Sequence, residues 1–283
     1  MMDPSYSFNI SIAGICVSFH CANKIFFQIL KNKYASFENA ATNKEIIVIE
    51  ILERPFDKNF DEIILEEKEG CYFLRSEDFN AEICLNTKKV KLESRLEITV
   101  FNTFLRILYS LLAVQHRGFL LHAAGLIYNK QGYVFSGPSS SGKTTTARRA
   151  TNLSVLNDEL TLIRKIGNDY RVHATPFTGE YEGSISVKSA PLQYLLFLNK
   201  ELQTGHQPVD KLTVIVKLME NIFFFDKNLS VNQLLLDNCR ELTENTPGFE
   251  VNIFASNSIE EVIDGIGKNK IFSEPQNSLA TNR

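Results

Sequence analysis

Hydrophobic and polar positions follow two different patterns along the chain, and the change falls near residue 97. Before it, short apolar runs alternate with polar residues or turns, a pattern typical of strands with one buried face. The runs that predict these strands are residues 8–12, 45–52, Cys71–Arg75, 81–85 and 90–92. We therefore predict a β-rich N-terminal domain over residues 1–96.

From residue 97, apolar side chains recur three and four positions apart, which predicts an amphipathic helix over 97–115 that ends before Gly118. Strand-like and helix-like segments then alternate. The predicted strands are residues 119–128, 133–136, 160–163, 170–174, 192–198 and 249–254, and the predicted helices are 145–150, 209–219, 229–242 and one that Ser258 and Glu261 would cap. The fold class we predict is mixed α/β, with a second domain over residues 97–272 and a flexible polar tail over 273–283.

The segment between the strand at 133–136 and the helix at 145–150 carries the strongest chemical signal. Residues 137–144, GPSSSGKT, match G-x-x-x-x-G-K-[ST], the phosphate-binding loop or Walker A motif. In this motif the glycines allow close approach of the backbone, loop amides and the start of the next helix bind phosphate, the lysine contacts the terminal phosphates, and the hydroxyl binds Mg²⁺. The predicted nucleotide-binding residues are Gly137, Ser139, Ser140, Ser141, Gly142, Lys143, Thr144 and Thr145.

An acidic pair follows this loop closely. Residues 155–156 predict a short strand that leads into Asn157, Asp158 and Glu159, and Asp158 lies 15 positions after Lys143. This gap leaves room for one short helix and one strand, whose end would bring the carboxylates beside bound phosphates. We predict that Asp158 holds the metal together with Thr144, and that Asp158 and Glu159 are catalytic candidates.

Composition and charge narrow the classes of function. Hydrophobic residues make up 44% and charged residues 22% of the 283-residue chain, as in ordinary soluble globular proteins. Lys and Arg number 30 against 33 Asp and Glu, a balance that disfavours nonspecific nucleic-acid binding. The most apolar stretch, residues 104–114, is interrupted by Arg106 and is shorter than the ~18 apolar residues of a membrane helix. We therefore expect neither nucleic-acid nor membrane partners.

The cysteines and the N-terminal residues predict a reducing, cytoplasmic location. The chain has five cysteines, an odd number without a C-x-x-C pair, so we expect buried free thiols and neither a zinc site nor disulfides. The five are Cys16, Cys21, Cys71, Cys84 and Cys239. Residues 10–19 are apolar but are preceded by Asp3 and by no Lys or Arg, the reverse of a signal peptide.

Three segments together resemble HPr kinase/phosphorylase and its kinase-like relatives. They are LHAAG at 121–125, SGPSSSGKTT at 136–145 and LNDE at 156–159. The resemblance implies the nucleotide fold shared with phosphoenolpyruvate carboxykinase, ATP or GTP with Mg²⁺ as cofactors, and a histidine, here His122, beside the phosphate loop. It covers residues 118–200, and chain length argues against a true carboxykinase.

The chain departs from this family at two points. The two adjacent aspartates of the family stand here as Asn157 and Asp158, and an asparagine cannot act as a base and is a weaker Mg²⁺ ligand. The Gly- and Arg-rich signature that follows the acidic pair is missing. Residues 175–180 occupy its place and offer Glu180 as the nearest acidic match, which argues against HPr itself as the substrate.

His122 has two interpretations. A single histidine on an apolar strand is commonly a core residue, whereas the resemblance implies a catalytic role in orienting phosphate or relaying a proton. Arg148 and Arg149 follow the loop, and helical spacing allows at most one of them to face phosphate.

The favoured hypothesis is a Mg²⁺-dependent phosphotransferase of the HPr-kinase-like type. It would transfer the terminal phosphate of ATP or GTP to a Ser or Thr hydroxyl of a protein or peptide, or to a small molecule, with His122, Asp158 or Glu159 taking the proton. The alternative is a catalytically degenerate nucleotide-binding regulator or assembly protein, favoured by Asn157. A phosphorylase or lyase would need oxyanion-binding residues that the sequence does not identify. A homo-oligomer is left open.

Overall fold

The computed structural model describes residues 6–39, 46–54, 62–181, 183, 187–203, 205–226, 228–256 and 258–273, with side chains up to residue 268. Within these ranges the chain forms strands and helices in both halves. The strands are β1 (Tyr6–Ile12), β2 (Ile15–Cys21), β3 (Ile47–Glu53), β4 (Ile64–Lys68), β5 (Cys71–Arg75), β6 (Phe79–Cys84), β7 (Lys89–Ser94), β8 (Gly118–Tyr128), β9 (Gln131–Ser136), β10 (Ser154–Asn157), β11 (Leu160–Ile166), β12 (Asp169–His173), β13 (Ser189–Leu198), β14 (His206–Val209) and β15 (Gly248–Val251). The α-helices are α1 (Lys24–Tyr34), α2 (Ile98–Gln115), α3 (Lys143–Arg149), α4 (Lys211–Asn221), α5 (Leu229–Asn245) and α6 (Ile259–Ser273).

The N-terminal residues form a seven-stranded mixed sheet in the order β1-β2-β3-β7-β6-β5-β4. Strand β3 runs parallel to both of its neighbours, and the other pairs are antiparallel. Its alternating sequence buries Ile47, Ile49 and Ile51 and exposes Val48 and Glu50, as the period of two requires. The strand predictions in this half are confirmed within the described residues, which begin at residue 46 in the predicted run 45–52.

Helix α1 is absent from the sequence-based prediction, which treated the whole N-terminal region as β-rich. Asn23 caps it, since its side-chain oxygen accepts a hydrogen bond from the Phe26 amide at 3.0 Å. Phe26, Leu30 and Tyr34 recur four positions apart and are fully buried against the sheet. A helical period was therefore present in the sequence.

The second sheet has eight strands and is covered on both faces. Its order is β10-β8-β11-β12-β13-β15-β14, and β9 pairs with both β8 and β13. Neighbouring residues of β9 point into two separate core clusters, Val134 into one and Phe135 into the other. Strands β9 and β13 are parallel, with Ser136 opposite Phe197, so their carboxyl ends meet at one edge.

Helix α2 confirms the predicted helix but is buried around most of its circumference, not along one stripe. Phe101 packs edge-on against Phe19 of the first sheet, with ring centroids 5.1 Å apart. Tyr109 donates a hydrogen bond to the Ile15 carbonyl at 3.1 Å. The same core cluster continues through Leu120 into the second sheet. Helix α2 thus shares one apolar core with both sheets, which explains its apolar character on nearly every face.

By length and composition alone, the segment Ile98–Gln115 could also cross a membrane, which corrects the expectation that no segment of the described chain could. In this structure 67% of the segment is buried inside the protein. Core helices of soluble proteins meet the same criterion, so the feature is weak evidence for a membrane span.

The prediction that all cysteines are free thiols is wrong for Cys71 and Cys84, which form a disulfide. The two residues lie directly opposite each other on the antiparallel strands β5 and β6, with Cα atoms 4.3 Å apart. Opposite positions on such a pair bring the Cβ atoms close enough for the two sulfur atoms to bond. Cys16, Cys21 and Cys239 are buried free thiols, as predicted.

The elements predicted after residue 97 are confirmed, with shifted ends. Ser258 begins α6 as predicted, because its hydroxyl accepts a hydrogen bond from the Glu261 amide at 3.2 Å. The late strand at 249–254 is shorter, since β15 gives way to a 3₁₀ helix at Ile253–Ala255. The predicted tail lies outside the described residues from 274 onward. The molecule is thus a mixed α and β protein with two mixed sheets.

Candidate functional site

The candidate phosphate loop connects β9 to α3, as its motif requires. Gly142 has a φ of 117°, in the region that favours glycine, and Ser140 also has a positive φ of 62°. A Cβ on Gly137 would lie 2.9 Å from the Ser141 hydroxyl oxygen, closer than Cβ atoms normally approach. Both motif glycines are therefore needed for the observed backbone.

Lys143 folds back over the loop. Its ammonium donates to the carbonyl oxygens of Gly137 at 2.7 Å and Pro138 at 2.8 Å. Burial lowers the pKa of Lys143 below its usual value, and the carboxylate of Glu159 acts in the opposite direction. The ammonium of Lys143 is thus held by two carbonyl oxygens of the loop, and the negative charge of Glu159 acts to raise its pKa.

Several donors of the loop have no acceptor in the described part of the chain. The backbone amides of Gly142, Lys143, Thr144 and Thr145 lack one there, and so does the buried hydroxyl of Ser141. Because α3 has only seven residues, these individual amides, more than the dipole of a helix, would attract an anion. Several donors without acceptors on one short loop can bind the oxygens of an anion such as a phosphate group.

Asn157 is buried, and its side-chain amide makes four hydrogen bonds with neighbouring residues. Its amide group donates to the carbonyl and hydroxyl oxygens of Thr175, at 3.1 and 3.0 Å. Its side-chain oxygen accepts from the amides of Glu159 at 2.6 Å and Leu160 at 2.9 Å. Asn157 therefore stabilises the turn between β10 and β11 with its oxygen and ties this turn to Thr175, beyond β12, with its nitrogen, a pattern that a carboxylate cannot reproduce.

Asp158, the predicted metal ligand, accepts three backbone hydrogen bonds. Its two oxygens bind the amides of Gly179 at 2.8 Å, Glu180 at 3.0 Å and Tyr181 at 3.1 Å, and the residue is only 2% exposed. A carboxylate has about four acceptor positions, so one remains for a metal. The observed contacts give Asp158 a structural role, and its metal role stays a prediction.

Glu159 is the member of the acidic pair whose charge acts on the pKa of Lys143. The guanidinium of Arg106, on α2, holds it in a two-pronged ion pair with N–O distances of 2.8 and 3.2 Å. Arg106 lies 53 residues earlier in the chain, where the sequence shows it only as a charge within an apolar stretch. A charge that interrupts the apolar face of a predicted core helix is the signal that could have identified it.

His122 lies on β8 directly opposite Leu160, next to the acidic pair. Burial lowers the pKa of His122, Lys143 and Arg106 act in the same direction, and Glu159 opposes them. The ring packs edge-on against Phe223, with centroids 5.7 Å apart. A half-buried imidazole with a lowered pKa is neutral at pH 7 and can accept a proton.

The two arginines after the loop serve other contacts. Arg148 pairs with Glu180 at 2.8 Å on the surface, where both side chains are more than half exposed. Arg149 donates to the carbonyl oxygens of Ile253 at 2.5 Å and Ser256 at 2.8 Å. These contacts tie Arg148 and Arg149 to residues outside the loop.

The predicted site residues therefore fall into two sets that have different interaction partners. His122, Lys143 and Glu159 interact electrostatically with one another, and Arg106 joins them. Asp158 belongs to a different set of contacts. Thr144 follows directly on Lys143, and the oxygen chemistry of its hydroxyl suits Mg²⁺.

Comparison with known proteins identifies the family of this chain. Among solved structures, the chain is similar to the HPr(Ser) kinase/phosphatase from Coxiella burnetii, with 11% identity and a TM-score of 0.33 over 54% of this chain and 96% of that chain. Such a likeness does not establish a shared function. No curated protein matches the sequence. The family model described as SynChlorMet cassette protein ScmC matches residues 83–266, more than half of the chain. The protein therefore belongs to the ScmC family of SynChlorMet cassette proteins.

Proposed function

We propose that this protein binds ATP or GTP with Mg²⁺ and transfers the terminal phosphoryl group to a hydroxyl of a protein, peptide or small molecule. The observation that carries the proposal is the position of Lys143. Its ammonium sits over a glycine-lined loop with free amides and in the field of Glu159. Lys143 also acts electrostatically on His122, whose pKa is lowered mainly by burial and which would accept the proton.

Each residue of the loop has a defined task in this proposal. The amides from Gly142 to Thr145 would bind phosphate oxygens, and Lys143 would exchange two carbonyl partners for the terminal phosphates. Thr144 would hold the metal. The nucleotide would supply the phosphoryl group and leave as the diphosphate, and Mg²⁺ with Lys143 would offset the negative charge during transfer.

His122 is the proton acceptor that the contacts favour. Glu159 is committed to Arg106 through two hydrogen bonds, and the oxygens of Asp158 accept three amides. The ring of His122 is neutral at pH 7 and would take the proton of an attacking hydroxyl. Glu159 would stabilise the imidazolium that results, since its charge already acts on this ring.

The direct test replaces the lysine. We expect Lys143→Ala to lose at least tenfold in affinity for MgATP and MgGTP, measured by calorimetry, because the terminal phosphates lose their cation. Lys211→Ala is the matched control, since Lys211 lies on α4 in an exposed pair with Glu244. Unchanged nucleotide affinity in the Lys143→Ala variant would contradict the proposal.

A second candidate is a protein that binds nucleotide without transferring phosphate. The hydrogen bonds of Asn157 and Asp158 support it, because they leave the acidic segment engaged in structural contacts. The two candidates differ when the protein is mixed with ATP labelled at the terminal phosphate and with peptides that contain Ser or Thr. Label on a peptide, or ADP formed with water, supports transfer, whereas tight binding with neither product supports the second candidate.

A further inference from the structure

An exposed aromatic ring stands beside the phosphate loop. Phe254 lies in the 3₁₀ helix Ile253–Ala255, and its side chain is 53% exposed. A Cβ on Gly142 would lie 3.7 Å from two atoms of this ring, so the ring flanks the loop at its second glycine. Exposing so much of an aromatic side chain costs free energy that burial would recover.

The segment that carries Phe254 is fixed in place by its neighbours. The side-chain oxygen of Asn252 accepts from the Phe254 amide at 3.0 Å, and its amide group donates to the carbonyl oxygens of Lys200 and Leu202. The guanidinium of Arg149, on α3, donates to the carbonyl of Ile253. The ring is therefore held beside the loop by contacts from the loop's own helix and from the residues after β13.

A second lysine, Lys200, contacts both the loop and the Phe254 ring. Lys200 follows β13, whose carboxyl end meets that of β9, and its ammonium donates to the Ser140 carbonyl at 2.7 Å. The same ammonium lies 5.8 Å from the centroid of the Phe254 ring. An aromatic ring and a cation thus flank the loop together.

From this arrangement we infer that Phe254 is the platform on which the purine base of the bound nucleotide stacks, with Lys200 contacting the phosphate nearest the ribose. The inference rests on the proposed nucleotide-binding function. A nucleotide whose phosphates lie in the loop extends its base onto the adjoining surface. An aromatic ring there accepts any purine, because every base has a π-face.

The absence of tryptophan from the chain allows a direct optical test. Phe254→Trp introduces a single indole at the proposed platform. We expect MgATP and MgGTP to change its emission on binding, because a base covers the ring. Magnesium tripolyphosphate, which has no base, should bind with its parental affinity by calorimetry and leave the emission unchanged.

Truncation gives the energetic counterpart. Phe254→Ala should lower the affinity for MgATP roughly 5- to 100-fold and leave the affinity for magnesium tripolyphosphate unchanged. Leu212→Ala is the matched control, since Leu212 is 71% exposed on α4 and should alter neither affinity.

The outcomes separate this inference from the function on which it rests. If the parent protein binds neither MgATP nor tripolyphosphate, the proposed function is wrong and the platform fails with it. If both bind but Phe254→Ala retains parental affinity for MgATP, the platform is wrong and the phosphate site stands. Silent emission of the Phe254→Trp variant with MgATP bound would overturn the platform in the same way.

Discussion

Asn157 illustrates how much one side chain can decide at this site. In the HPr-kinase-like pattern that the sequence resembles, an aspartate stands at this position, and its replacement could be taken as the loss of a catalytic base. In the structure the asparagine has a stabilising role, because it donates two hydrogen bonds to Thr175 and accepts two from backbone amides. Only an amide side chain can do both.

This reasoning predicts the effect of restoring the acid. Asn157→Asp should lower the free energy of unfolding by about 1–3 kcal/mol, because a buried carboxylate would face the Thr175 carbonyl without a donor. Urea denaturation measures the change. Asn152→Asp makes the same chemical substitution on an exposed turn and should leave stability within about 0.5 kcal/mol of the parent.

The opposite result would be informative as well. A variant with Asp at this position that is as stable as the parent and gains ADP formation would show that Asn157 occupies the place of a catalytic base. The second candidate function would then gain support, because the parent would lack a group that its site can use.

At the scale of elements, the turn at residues 179–181 is organised around a single carboxylate. Three successive amides of this turn donate to Asp158. A Cβ on Gly179 would lie 3.0 Å from one of the carboxylate oxygens, so glycine permits the close approach. The turn and the acidic segment are therefore one structural unit.

We expect Asp158→Asn to loosen this turn in the absence of any ligand. An asparagine keeps one acceptor oxygen and places an NH₂ group against at least one amide, so hydrogen exchange at Gly179, Glu180 and Tyr181 should accelerate at least tenfold. Asp169→Asn, on the exposed start of β12, is the control and should not alter it.

A purely metal-binding role for Asp158 makes a different prediction. In that case exchange at the turn would stay unchanged without ligand, and the substitution would act only on the dependence of nucleotide binding on Mg²⁺. The two measurements together thus decide whether the carboxylate stabilises the turn, holds the metal or does both.

At the scale of the whole molecule, the two sheets share one apolar core through α2. Polar contacts also join the two halves, since Tyr72 donates to Asp226 at 2.9 Å and Tyr109 donates to the Ile15 carbonyl. The family match begins at residue 83, inside β6, and so includes part of the first sheet. The boundary predicted at residues 96–97 falls between β7 and α2, two elements of this shared core.

Such a core predicts cooperative unfolding. We expect a single calorimetric transition for the full chain, with the calorimetric enthalpy equal to the van't Hoff enthalpy, because neither sheet can bury its face without α2. Two resolved transitions, one lost on deleting residues 1–96, would instead support the division into independent domains.

The sequence by itself determined the features that depend on neighbouring residues. The period of apolar positions fixed most strands and the helix α2, and the contiguous motif fixed the strand, loop and helix around Lys143, because both are properties of local backbone geometry. The N-terminal helix α1 and the Cys71–Cys84 pair could also have been predicted from neighbouring residues. The helix follows from a helical period of apolar residues, and the disulfide from the register of a hairpin.

Only the tertiary structure decided which distant groups meet. Arg106 reaches Glu159 across 53 residues, Asp158 accepts a hydrogen bond from the Gly179 amide, and Phe254 lies beside Gly142. These contacts depend on how sheets and helices pack to bury apolar surface. That packing sums many weak interactions over the whole chain, so no local spacing of residues specifies it.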